Sequence, residues 1–227
     1  MNPVLVIAAH PDDEVLGAGG TIARLAGEGC AVHVLILGEG ATSRHAERGQ
    51  AAAQETAALT AQSRRAGELL GTREVSLCGL PDNRFDTIPL LEVIKLIELA
   101  VSRVRPEMVF TQHGGDLNVD HAITFRAALT AVRPLPGSSV RALYGFEVNS
   151  STEWAFQQFT PLFRPSVFFD ITETLGVKLA ALAAYEGELR DFPHPRSHEA
   201  VTAQARRWGS VVGCAAAEAF CPVFLRQ

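Results

Sequence analysis

Val4-Leu5-Val6-Ile7-Ala8-Ala9 runs without a charge into His10-Pro11-Asp12-Asp13-Glu14, one imidazole followed by three carboxylates. A short, β-branched, uninterrupted apolar run suits a strand buried on both faces of a parallel sheet. Beyond it, Val15-Leu16, Ile22-Ala23 and Leu25 continue as a helix, so residues 10–14 occupy a strand-to-helix corner. A carboxylate at a helix start caps exposed amide protons and meets the positive end of the dipole. Capping accounts for one aspartate, not for the whole group. His10 and Asp13, three residues apart, can converge on one point in front of the strand end. A mixed His/Asp ligand set there suits zinc, and Asp12 is then free as a base. The competing reading makes His10 a buried, hydrogen-bonded ring and the Asp pair a helix cap.

At 227 residues, with 47% hydrophobic and 20% charged residues, the chain has the composition of one ordinary globular α/β domain, expected over residues 1–227. Net charge is −5 with dispersed Lys and Arg, which leaves no basic footprint for nucleic acid or anionic lipid. Cys30, Cys78, Cys214 and Cys221 lie in apolar segments without C-x-x-C spacing and read as free thiols of a reducing compartment. No leader pattern and no apolar stretch of about 20 residues are present, so a cytoplasmic protein without a membrane span is expected.

In chain order, strands are expected at residues 30–37, Glu74–Cys78, Glu107–Thr111, Ala142–Phe146 and Ser166–Phe169. Helices are expected over Ala46–Leu70, closed by Gly71, Ile88–Val104, residues 121–132, Thr174–Tyr185 and Glu199–Val212, with an irregular C-terminal tail around them. The alternation predicts a Rossmann-like, doubly wound, mostly parallel sheet of about five to seven strands with helices on both faces. Ligands of such sheets sit beyond the carboxyl ends of the strands, where strand order reverses. With the order 3-2-1-4-5, that point joins the loop of His10, Asp12 and Asp13 to the loop of Asp116, Asn118, Asp120 and His121. His121 is then the natural third metal ligand.

With these residues in view, the chain resembles the LmbE-like, or GlcNAc-phosphatidylinositol de-N-acetylase (PIG-L), family of zinc-dependent amidases. Ala9 to Glu14 is its A-H-P-D-D-E string, and Gly19-Gly20-Thr21-Ile22, Leu80-Pro81-Asp82-Asn83, His194-Pro195-Arg196-Ser197 and Ala217-Glu218-Ala219-Phe220 look familial too. The resemblance implies zinc, or another divalent ion such as Fe2+, on His10, Asp13 and His121, with Asp12 as general base. It also implies hydrolysis of the N-acetyl group of a small amino-sugar derivative: a nucleotide-sugar, glycoside or related conjugate. An amidase acting on a thiol-sugar conjugate is the alternative.

One departure matters. Many members of the family it resembles carry H-x-D-H, whereas this chain has Asn118-Val119-Asp120-His121. Asn118 can donate a hydrogen bond but cannot deliver a proton, so His113 or His194 supplies the acid, or Asp12 passes on the proton it took. Asp120 either orients a histidine or caps the following helix. Asp82, Asn83 and Arg84 are either sugar or phosphate contacts or a plain turn. Arg196 is a candidate phosphate or carboxylate partner, and Trp154, Phe156 and Phe159 form either an aromatic rim or core. A dinucleotide-binding reading of Gly17-Ala18-Gly19-Gly20 fails on spacing. A non-catalytic binding protein that kept its metal site is the remaining rival, and a homo-oligomer is compatible with either.

Overall fold

The computed structural model describes residues 2–40 and 53–226. Its elements are β1 (Pro3–Ala8), α1 (Asp13–Gly27), β2 (Ala31–Gly38), α2 (Ala53–Leu70), β3 (Glu74–Leu80), α3 (Leu90–Val104), β4 (Met108–Gln112), α4 (Val119–Ala131), β5 (Ala142–Phe146), β6 (Val167–Asp170), α5 (Leu175–Ala183), α6 (His198–Val212) and β7 (Ala217–Leu225). The expected helix start at 46–52 lies outside the described residues.

Seven strands form one sheet in the order β3-β2-β1-β4-β5-β7-β6. The pairs from β3 through β5 are parallel, whereas β7 runs antiparallel between β5 and β6. The chain's end is therefore more regular than an irregular tail: α6 and β7 are built into the fold, and the irregular part is confined to the stretch before α6. β7 shows no alternation in its sequence, being apolar apart from Glu218, and it includes Pro222.

β1 shows why its run lacks polar residues. Val4, Val6 and Ala8 face a core shared with α1, α2 and α5, while Leu5, Ile7 and Ala9 face one shared with α3 and α4. Fully burying each of its larger side chains contributes roughly 1.5–3 kcal/mol. α1 is buried almost all round from Asp13 to Ile22, as a helix packed under other helices must be.

A second joint fixes α1. Glu218 of β7 accepts hydrogen bonds from the backbone N–H groups of Gly20 and Thr21 at 3.0 and 2.7 Å. Lys178 of α5 donates to the Leu16 carbonyl at 2.7 Å and pairs with Glu218 at 2.6 Å, both side chains 4% exposed. So close an approach requires glycine: a Cβ at Gly20 would lie 2.7 Å from Ile171 Cδ1. The Gly19-Gly20-Thr21 and Ala217-Glu218-Ala219 pieces of the sequence thus meet in space.

Candidate metal centre and active site

β1 ends at Ala8, and the chain turns through His10 and Pro11 into α1. Gly38 makes room for that turn, since a Cβ there would sit 2.7 Å from the Ala9 carbonyl and 3.3 Å from the His10 ring. Asp12 occupies the N-cap position with φ 97° and ψ −26°, and its side chain makes no capping bond. The expected cap is therefore absent. A non-glycine residue in this region carries strain of about 1–3 kcal/mol and marks a backbone held by its surroundings. Asp13 instead accepts from the His10 N–H at 2.8 Å and from Gln112 Nε2 at 2.9 Å.

His121, in the first turn of α4, completes the cluster. His10 Nδ1 lies 3.3 Å from His121 Nε2 and 3.4 Å from Asp13 Oδ2, and His121 Nε2 lies 3.3 Å from Asp13 Oδ2. Tetrahedral zinc with bonds of about 2.0–2.1 Å sets its ligand atoms about 3.3–3.4 Å apart, so the triangle has the right size for one such ion. Among the described residues, the buried Asp13 Oδ1 has no hydrogen-bond partner.

A carboxylate hydrogen bond sets the tautomer of His10, and a carboxylate also lies close behind the His121 ring. His10 Nε2 meets Asp120 Oδ2 at 3.0 Å and Asp82 Oδ1 at 3.3 Å, and His121 Nδ1 meets Asp116 Oδ1 at 3.1 Å. A carboxylate accepts only, so the proton of His10 sits on Nε2 and its Nδ1 stays open to a cation. Asp116 is itself held by Thr152 Oγ1 at 2.6 Å, by Ser151 Oγ and by the Asn118 N–H at 2.9 Å. Burial opposes a proton on His10, yet the Asp120 bond with Asp13 and Asp82 raises its pKa to about 10. His121 rises to about 9, with burial opposing and Asp13 and Asp116 prevailing. Burial works against ionised Asp13 too, but the two histidines hold it well below the usual carboxylate range. The three residues together call for positive charge at their centre.

Asp120 orients His10 and also accepts from the Phe85 N–H at 2.9 Å. Asn118 is the cap of α4, accepting from the Asp120 N–H at 2.9 Å while its Nδ2 donates to Asn83 Oδ1 at 2.9 Å. A cavity of about 160 Å³ opens over the cluster, lined by His10, Asp12, Asp82, Asn118, Glu188 and Arg196 among others. Burial above all pushes the Asp12 carboxyl well up, and Arg196 works against that.

Three sequence candidates lie elsewhere. His113 Nε2 bonds to the Pro161 carbonyl at 2.7 Å with its ring edge-on to Phe163. His194 accepts from the Arg196 N–H and stacks edge-on with Trp154, and Arg84 is exposed. None of the three lines the cavity. Trp154, Phe156 and Phe159 are 41%, 73% and 49% exposed, hence not core. Conversely, Gln112, Ser150, Tyr185 and Glu188 join the site with no motif to announce them.

Fold and cluster together define an α/β protein with a candidate metal site at the switch point of its sheet. Residues 5–132 match the family PIG-L, GlcNAc-PI de-N-acetylase, and the chain belongs to it. It is 28% identical to the uncharacterized deacetylase YaiS of Escherichia coli K12, over 81% of this chain and 90% of that one. It is 27% identical to the probable N-acetyl-alpha-D-glucosaminyl L-malate deacetylase 2 of Bacillus cereus, over 82% and 83%. Among solved structures, the 4-carboxy-2-hydroxymuconate hydratase GalB of Pseudomonas putida KT2440 superposes with a TM-score of 0.79, at 25% identity, over 100% of this chain and 98% of that one. No helix among the described residues is long and apolar enough to cross a membrane.

Proposed function

We propose that this chain is a metal-dependent N-deacetylase that hydrolyses the N-acetyl group of a small amino-sugar derivative. The observation that carries the reading is the triangle of His10 Nδ1, Asp13 Oδ2 and His121 Nε2, 3.3–3.4 Å on a side, next to the Asp12 carboxylate in one cavity. The family membership and the sugar-malate relative support the amide as the bond and the amino sugar as its carrier.

His10, Asp13 and His121 would hold the ion, zinc being the best match to two nitrogens and one oxygen. When bound, such an ion lowers the pKa of water and polarises an amide carbonyl. Asp12 takes the proton from the attacking water. Asn118, with one amide proton beyond the bond to Asn83, donates to the developing oxyanion. Among the described residues, the cavity's two imidazoles are His10 and His121, both committed to the ion. Asp12 therefore also returns the proton to the departing amine nitrogen.

Water addition, the activity of the hydratase neighbour, would use the same ion. A polycarboxylate substrate needs free cationic groups, and Arg196, the cavity's one arginine among the described residues, already faces Asp12 and Glu188. Acetate release from a panel of N-acetylglucosamine derivatives, measured with and without chelator in the wild type and Asp12→Ala, tests the proposal. Chelator-sensitive release that Asp12→Ala abolishes is expected. Undiminished release by the variant removes Asp12 from the mechanism, and a zinc-loaded wild type inert across the panel overturns the deacetylase reading.

A further inference from the structure

We propose that Arg196 is a positioning residue that holds the Asp12 carboxylate over the cavity. This rests on Asp12 being the base of the reaction proposed above. An aspartate directly before a helix ordinarily folds its side chain back to accept a free N–H of the first turn. Asp12 stands at that position of α1 and does not do so. Its Oδ2 receives Arg196 Nη1 at 2.7 Å instead, a contact between residues 184 apart in the chain.

Arg196 is itself held through Nε, Nη1 and its backbone. Its Nε donates to Ser150 Oγ at 2.8 Å, and Nη1 lies 3.4 Å from Glu188 Oε2. Its backbone N–H donates to His194 Nδ1 at 3.1 Å. The next residue, Ser197, caps α6 through Ala200 N at 3.0 Å, and Asn149 Nδ2 ties down the Pro195 carbonyl at 3.2 Å. The guanidinium thus projects from the rigid start of a helix. The other side of Asp12 is braced too: its N–H donates to Glu14 Oε2 at 3.2 Å, while Tyr185 donates to Glu14 Oε1 at 2.5 Å.

A substrate-anion role fits this arrangement poorly. An incoming phosphate or carboxylate would share the guanidinium with two carboxylates that already neutralise it. A planar fork locked in one direction instead fixes where the second Asp12 oxygen points. Sub-ångström placement of a proton-transfer group is worth large factors in rate.

The experiment compares wild type, Arg196→Ala and Arg196→Lys by acetate release from N-acetylglucosamine methyl glycoside, with bound zinc counted and crystal structures of wild type and Arg196→Ala. We expect kcat of Arg196→Ala to fall about 100-fold, with KM within about threefold and one zinc per chain retained. Added guanidinium should restore part of the Arg196→Ala rate and none of the Asp12→Ala rate, and the Asp12 carboxylate should swing onto the end of α1. An unchanged kcat, or a loss carried by KM alone, overturns the proposal. If Arg196→Ala does not fold, Arg196→Lys and Ser150→Ala carry the same measurements. If the wild type releases no acetate, the deacetylase reading fails by itself. The crystal structures then decide the positioning role: an Asp12 side chain unmoved in Arg196→Ala overturns it, and one turned onto the helix supports it.

Discussion

Asp12 combines a strained backbone, a buried carboxylate and a locked arginine, and each has a measurable consequence. Asp12→Asn should keep its metal and most of its stability while kcat drops by about 10²–10⁴, the usual contribution of a positioned base; acetate-release kinetics with metal counting checks both halves. Glu147 offers a second test away from the cavity. Burial above all raises its pKa to about 7, against the Trp208 and Gln204 hydrogen bonds. Between its ordinary value near 4.5 and about 7, the folded chain keeps a proton that the unfolded chain gives up. Stability is therefore complete below the lower value and is lost as pH rises through the upper one. Glu147→Gln should melt about 2–4 °C higher than wild type at pH 8 and alike at pH 4.5, read by thermal denaturation across that range. At this scale the sequence was partly transparent. His10, Asp13 and His121 are legible because two local clusters meet at the one place a doubly wound sheet puts a site. Arg196 reads from the sequence as a phosphate or carboxylate partner, but its grip on Asp12 does not, because that depends on the path of a non-repetitive segment.

At the scale of elements, the helix bearing Asp13 is pegged by the Lys178–Glu218 pair inside its own backbone. Breaking a buried pair by removing one partner leaves an uncompensated charge and costs about 3–5 kcal/mol. Lys178→Met should accordingly lower the denaturant midpoint far more than any surface lysine change, by equilibrium unfolding. Gly20→Ala tests the same joint from the other side: its Cβ would lie 2.7–2.8 Å from Ile171, and overpacking of this kind costs about 1–3 kcal/mol. Periodicity located α1 within two residues of its observed end but gave no reason for Gly17, Gly19 and Gly20 within it. Cβ atoms there would run into Phe146 of β5, Lys178 of α5 and Ile171 beyond β6, while β7, whose sequence hides its pattern, adds Glu218 on the Gly20 N–H. The same masking explains why residues 217–225 read as tail.

For the whole molecule, the proposed ion joins the corner after β1 to the start of α4, 111 residues further on. A ligand that binds only the folded chain stabilises it by mass action, about 4 kcal/mol at a thousandfold excess over Kd. Chelation should lower Tm and added zinc should restore it, whereas His121→Ala should show neither response, by differential scanning calorimetry. The order of the first five strands is the common one of doubly wound sheets, and the two helical layers followed from the alternation of strands with helices, since both faces of β1 had to be covered. The antiparallel insertion did not, because nothing local says which gap in a sheet a late strand will enter.

That insertion shapes how the protein is born. β6 bonds to the sheet through β7, which follows it by about fifty residues; at ribosomal speeds of 5–20 residues per second the nascent β6 waits roughly 3–10 s for its neighbour. Phe168 and Phe169 spend that interval without the strand that pairs with them, as apolar side chains not yet covered.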